Sequence, residues 1–395
     1  MSVRFMMLIR TIVVSSLLLV LSACSLVGDI KESVSEHVFG KEDPNPPEEL
    51  TDIKLTIDAK VLWKAKLGDT ENFDFTPAVD GNFVYAASAA GEIVKINSAT
   101  GVQQWRIKSG EKLSSGVGVG ANTVLVGTAQ GAVLAYDFSG KALWKAKLSS
   151  EVLSVPRVFV DVVIARTGDN HIFGINLNDG SRKWVYQRAS PSLSLRSSAG
   201  IAVDGGAVYA GFAGGKMVSL RADNGNMLWE ASVAQPKGVT EIERIADITS
   251  LPVVDGPIVY AVAYQGKIAA IDRTNGHVIW SRDISSYAGM SAEDGKVFVS
   301  HSVGSVYSLD YTTGKTFWRQ AALANRKLTA PVAMGSVVAV GDFEGYVHFL
   351  NRDDGAFAGR VKTDSAAVMP QMIAIGSNQL FAQTRDGSLY AISIK

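Results

Sequence analysis

From about residue 59 to the C-terminus, apolar and polar residues alternate in short runs, the period of a half-buried β-strand. Gly91-Glu92-Ile93-Val94-Lys95-Ile96-Asn97 is one run, and Gly266-Lys267-Ile268-Ala269-Ala270-Ile271-Asp272 is another. Pairs such as Thr100-Gly101, Asn224-Gly225, Asn275-Gly276 and Thr313-Gly314 follow the runs. Gly accepts a positive φ, so these pairs predict tight turns between strands. Further upstream, Val79-Asp80-Gly81, Val203-Asp204-Gly205 and Val254-Asp255-Gly256 each precede a Val-Tyr pair and predict a hairpin. Each module therefore holds four short strands. The last strand of a module carries a tryptophan. The seven tryptophans, Trp63, Trp105, Trp144, Trp184, Trp229, Trp280 and Trp318, all fall at the same phase, spaced by 42, 39, 40, 45, 51 and 38 residues.

Four antiparallel strands repeated at this interval predict an all-β fold, a β-propeller of four-stranded antiparallel blades. A lone sheet leaves both faces wet, and radial packing covers them. The seven tryptophans are read as packing between blades, each hiding on the order of 150–250 Å². The seventh module runs Gly345-Tyr346-Val347-His348-Phe349-Leu350-Asn351, then Asp354-Gly355, with Gly359 where Trp is expected. The eighth begins at Pro370 and stops at Lys395 without a Trp strand, whereas Val61-Leu62-Trp63-Lys64 is a Trp strand with no module before it. Pairing these two ends closes an eight-bladed ring over 59–395 and removes the open edge between first and last blade.

The N-terminus reads differently. Arg4 and Arg10 precede an apolar stretch from Thr11 to Leu21, which is short for a membrane span and has the layout of a secretory signal. Leu21-Ser22-Ala23-Cys24 resembles the bacterial lipobox, which makes 1–23 a lipoprotein signal peptide and Cys24 the lipidated (palmitate-bearing) first mature residue. Cys24 is the only cysteine of the chain, so no internal disulfide competes for it. Ser25 follows the Cys, which in enterobacterial lipoproteins implies the outer membrane. Residues 24–58 lack a sustained hydrophobic period and carry Pro44, Pro46 and Pro47, so they are read as a tether.

Composition narrows the function. The 38 basic and 38 acidic residues give a formal net charge of zero with no block of like charge, which argues against a nucleic-acid groove. His37, His171, His277, His301 and His348 have no metal-ligand spacing, and no Gly-x-Ser-x-Gly elbow occurs. The glycine-rich Gly116-Val117-Gly118-Val119-Gly120 falls where an inner strand belongs and opens no helix, so it is read as strand and not as a phosphate cradle. The informative departure is asymmetry. The two longest Trp intervals are consecutive, and their extra residues are Gln187 to Arg196 and Gln235 to Asp247. Both connect a Trp strand to the next inner strand, so both emerge on one face. Leu193, Leu195 and Arg196 in the first fit an interface of apolar anchors with a charged neighbour.

The Gly-x-hydrophobic-x-Ala-hydrophobic-Asp…Thr-Gly-x-x-x-Trp repeat resembles the tryptophan-docking repeat of quinoprotein dehydrogenases and their relatives. Lipobox, tether, eight repeats and two long loops together resemble the BamB family of outer-membrane assembly lipoproteins. That resemblance implies a non-enzymatic, cofactor-free subunit of the β-barrel assembly machinery, lipid-anchored on the periplasmic side of the outer membrane. It implies that a monomeric propeller binds the POTRA domains of BamA and aids insertion of outer-membrane β-barrel proteins. Whether unfolded outer-membrane proteins touch the propeller stays open. The family's contact residues fall on Leu193, Leu195, Arg196 and Asp247, and Thr249 stands where the family has a second acidic residue. Two other classes are weighed beside it. A quinone-dependent periplasmic dehydrogenase would commonly stack its pyrroloquinoline quinone on a disulfide of adjacent cysteines, and the repeat region holds no cysteine. A lectin-like propeller would reveal itself on a glycan array.

Overall fold

The computed structural model describes residues 45–189, 193–195 and 198–395. The signal segment, Cys24, most of the tether and Arg196 lie outside the described residues. The chain divides into two compact units, Met1–Pro47 and Glu48–Lys395. Of the first, only 45–47 are described, and they carry no regular structure.

The second unit is a β-propeller of eight four-stranded antiparallel sheets. Blades 1 to 7 are formed by 78–108, 113–147, 157–186, 201–232, 253–282, 289–320 and 332–362. Blade 8 joins 373–394 to the N-terminal strand Ala59–Lys66, which pairs with Ser388–Ile394 from Ala59↔Ile394 to Lys66↔Ser388. The predicted closure by the two chain ends is therefore the observed one. The first strand of each blade lies against the first strand of the next, and the series returns from Ile373–Ile375 to Ala78–Asp80, completing the ring. The glycine-rich segment is the inner strand of blade 2, Leu113–Gly120.

No single core exists. Eight apolar clusters lie one at each junction between neighbouring blades. At the junction of blades 5 and 6, for example, Tyr260, Val262, Ile268 and Trp280 meet Val297, Val299 and Leu309. Every tryptophan donates its indole N–H to a carbonyl of the following blade. Trp63 reaches Ser98 at 2.9 Å, Trp105 Phe138 at 3.0 Å, Trp144 Leu177 at 2.7 Å and Trp184 Ala222 at 3.1 Å. Trp229, Trp280 and Trp318 reach Arg273, Tyr311 and Arg352 at 2.9 Å. Each ring lies on the turn glycine of that next blade. A Cβ on Gly101 would come within 2.7 Å of Trp63, and one on Gly314 within 2.5 Å of Trp280. These glycines have φ of +74° and +66°. They thus serve twice, once for the turn and once for the neighbour's indole. Burying each indole contributes on the order of 4–6 kcal/mol at about 25 cal/mol per Å². The hydrogen bond adds only about 1 kcal/mol and chiefly fixes the ring's orientation.

The missing eighth tryptophan has a structural reason. The docking turn joins the third and fourth strands of the next blade, and in blade 8 those strands are the two chain ends. Asp58 and Lys395 bridge them with reciprocal backbone hydrogen bonds of 3.0 Å. Ile57 fills the place of the indole, and Gly359 leaves room for it, since a Cβ there would meet Ile57 at 2.8 Å.

Residues 48–58, expected to belong to the tether, lie along blades 6 and 7. Glu48 N–H donates to Ala324 O, and Thr56 N–H to Ala358 O. Arg326 Nη1 donates to Glu48 O at 3.0 Å and Arg360 Nη1 to Thr51 O at 3.1 Å. A buried polar cluster orients both arginines. Arg326 Nε donates to Asp342 Oδ2 at 2.8 Å, and His348 Nε2 lies 3.0 Å from the same oxygen. Arg360 Nε donates to His348 Nδ1 at 3.1 Å, so the imidazole is neutral with its proton on Nε2. Burial holds the His348 pKa down against the pull of Asp342. This segment has no hydrophobic period because it is held chiefly through its backbone N–H and carbonyl groups, with Leu50 and Ile57 packed singly.

Candidate functional site

Two long connections distinguish one region of the ring. Residues 187–200 lead from the outer strand of blade 3, Arg182–Tyr186, to the inner strand of blade 4, Ile201–Asp204. Residues 233–252 lead from Met227–Ser232 to Val253–Asp255 of blade 5. Both run from outer to inner strand, so they emerge on the same face of neighbouring blades, as the sequence predicted.

Asp247 joins them. Its Oδ2 accepts the N–H of Leu195 at 2.7 Å and its Oδ1 accepts the N–H of Gly214 at 3.0 Å. The Asp247 carbonyl accepts the N–H of Tyr264 in blade 5 at 2.8 Å. The residue is only 4% exposed. The family resemblance implied for Asp247 the role of an acidic contact to the partner on the second loop. The structure turns its carboxylate inward, with each oxygen engaged by a backbone amide. Such ionised acceptors make hydrogen bonds stronger than neutral ones. Leu193 and Leu195 are 43% and 37% exposed, on the loop that this carboxylate holds.

The second loop displays apolar residues that the sequence reading missed. Glu243 Oε2 accepts the N–H of Val239 at 2.8 Å and of Thr240 at 3.1 Å, while Thr240 Oγ1 accepts the N–H of Glu243. Those backbone bonds, from Thr240 first and then Val239, hold the Glu243 carboxyl below its ordinary pKa. This reciprocal arrangement closes one turn and leaves Val239 and Ile242 at 91% and 67% exposure. The Thr-x-x-Glu spacing was the available signal.

The first loop ends at the central opening. Ser198 Oγ donates to Asp74 Oδ2 at 2.8 Å, and Asp74 pairs with Arg385 of blade 8 at 3.1 Å. This chain of contacts links the start of blade 4 to the opposite side of the ring. Beneath it lies a cavity of about 620 Å³, whose wall includes Arg157, Leu195, Thr249, Ser250, Lys327 and Phe343. A smaller cavity of about 210 Å³ lies alongside, under Ser194 and Leu195. Arg166 on its wall donates to Gly211 O at 2.7 Å, Ala199 O at 3.4 Å and Asn170 Oδ1 at 2.8 Å. Burial pushes the Arg166 pKa down to about 10, which leaves it charged at neutral pH. Among the described residues, no group of His, Cys, Asp or Glu could hold a metal ion.

The architecture defines a class: an eight-bladed propeller whose blades are docked by tryptophans and whose paired loops stand on one face. The fold is shared with the quinohemoprotein alcohol dehydrogenase of Comamonas testosteroni, at a TM-score of 0.70 and 14% identity over 85% of this chain and 76% of that one. The sequence matches the family described as outer membrane protein assembly factor BamB over residues 53–112, 89–320 and 302–395. The chain belongs to that family. Its relatives include the outer membrane protein assembly factor BamB of Nitrosomonas eutropha, 37% identical over 96% of this chain and 94% of that protein. The BamB of Burkholderia pseudomallei is 38% identical over 89% of this chain and 92% of that protein. The crystal structure of BamB from Moraxella catarrhalis superimposes at a TM-score of 0.78 with 29% identity, covering 85% of this chain and all 100% of that one.

Proposed function

We propose that the protein is a non-enzymatic lipoprotein subunit of the β-barrel assembly machinery, anchored to the outer membrane through Cys24, which binds the POTRA domains of BamA and assists folding and insertion of outer-membrane β-barrels. Leu193 and Leu195 are the apolar anchors, Arg196 their charged neighbour, and Asp247 the residue that holds the display in place. The carrying observation is the Asp247 carboxylate bonded to the backbone of Leu195, which couples the two loops. Family membership supports the role, and the exposure of both leucines supports the surface. The likeness to the alcohol dehydrogenase, at 14% identity, concerns the fold alone.

The test is capture of BamA from membranes. Leu193→Ala with Leu195→Ala should abolish capture while the melting temperature stays unchanged. Undiminished capture by that double variant rejects the surface.

A further inference from the structure

The central cavity has donors without acceptors. Arg157 opens the inner strand of blade 3, Arg157–Phe159, and lies on the cavity wall. It is half-buried, and its guanidinium meets no hydrogen-bond acceptor, carboxylate or aromatic ring among the described residues. Burial alone lowers its pKa, with no charged or hydrogen-bonded neighbour contributing. The same wall carries the hydroxyls of Thr249 and Ser250, whose oxygens are buried and also without a partner. Lys327 stands at the rim. The one carboxylate of the wall, Asp74, is already bonded to Arg385 and Ser198. Three cations thus face a single engaged anion. A guanidinium that is half-buried, without a partner and open to a cavity is available to an incoming anion.

The wall also carries the apolar side chains of Leu153, Val155, Leu251, Leu328, Val368 and Pro370, among polar ones such as Thr76, Thr329 and Gln371. A guanidinium fork matches the two oxygens of a carboxylate. We infer that the central cavity is a binding site for an amphipathic carboxylate, its two oxygens taken by Arg157 and its apolar body by the leucines of the wall. Thr249 is decisive for the sign of the site. An acidic residue at that position would place a second carboxylate on the wall and repel the ligand.

Such a carboxylate has two sources: the C-terminus of an extended polypeptide or a free organic acid. Isothermal titration of the full-length chain in detergent distinguishes them, with three probes. These are a capped leucine tripeptide as the free acid, the same tripeptide as its amide, and octanoate. Binding of the free acid and not of the amide assigns the peptide terminus. Binding of octanoate alone assigns a free acid. In either case Arg157→Gln should weaken binding by about tenfold or more, the scale of a lost charge-assisted hydrogen bond. Thr249→Asp should weaken it independently, and it serves if Arg157→Gln does not fold. Failure of all probes to bind, equal binding of acid and amide, or folded variants that bind undiminished would overturn the assignment.

Discussion

At the scale of the residue, the indole and the glycine of the next blade form one unit. Trp280→Ala leaves a cavity at the junction of blades 5 and 6 and should lower stability by about 3–5 kcal/mol. Gly314→Ala attacks the same contact from the other side. It forces a side chain onto a positive φ, at about 1–2 kcal/mol, and drives a methyl into the ring. Trp280→Phe keeps most of the area and loses the bond to Tyr311 O, a carbonyl that also accepts the hydroxyl of Tyr260 at 3.1 Å. That variant should therefore lose the least, about 0.5–1.5 kcal/mol. Urea unfolding monitored by circular dichroism gives the order, and a Phe variant weaker than the Ala variant contradicts the packing account. The tryptophans were legible because a large apolar side chain at a fixed phase leaves a mark in one dimension. Asp247 was legible as a position and not as a function. Its acceptor geometry depends on the amides of Leu195 and Gly214, which are 52 and 33 residues away in the chain. Arg157 gave no signal, because its distinguishing property is the lack of a neighbour.

At the scale of the element, the closing strand Ala59–Lys66 is held by pairing and by charge. Lys66 Nζ lies 2.6 Å from Asp386 Oδ2, on the turn before Ser388–Ile394. Burial works against the Asp386 carboxylate, but bonds from Lys66, Thr384 and Ser388 prevail and bring its pKa down to about 2. Its folded value is thus below its unfolded value, so its stabilisation is complete above about pH 4 and is lost as the pH falls toward 2. Asp386→Asn should lower the melting temperature at pH 7 and flatten its decline between those limits. An unchanged acid limb in the variant would remove Asp386 from the closure. The eighth docking position gives a second test. A repeat consensus recommends Gly359→Trp, yet Ile57 occupies that space, so the substitution should destabilise and not strengthen the ring. Strand order and closure were readable from the broken repeats at the two termini. The course of residues 48–58 was not, because arginines bonded to carbonyls impose no alternation on the residues that carry them.

At the scale of the whole molecule, the ring is the frame, and the proposed docking surface stands on the departures from its symmetry. Asp247→Ala should leave the propeller folded, since the change lies outside every blade, and should weaken BamA capture by releasing the backbone of Leu195. A loss of capture in Leu195→Ala without any loss in Asp247→Ala would separate the clasp from the surface. Cys24→Ser should move the protein from the membrane to the soluble fraction of a cell lysate. The placement of both loops on one face followed from the repeat alone, because an outer-to-inner connection has only one side on which to emerge. The central cavity did not follow, since its wall is assembled from segments of many blades that share no local pattern.

The pairing of Ala59 with Ile394 also sets a schedule for folding. The first strand among the described residues finds its partner only in the last one. Seven blades have every strand available once their own segment has been delivered, but the eighth waits for Ser388–Ile394 to arrive in the compartment where the chain folds. Until then one flank of the arc offers unpaired backbone to any extended chain nearby. A polypeptide that stops a few residues early would be left with that flank permanently open, and loss of its final strand should appear as aggregation before it appears as loss of secondary structure.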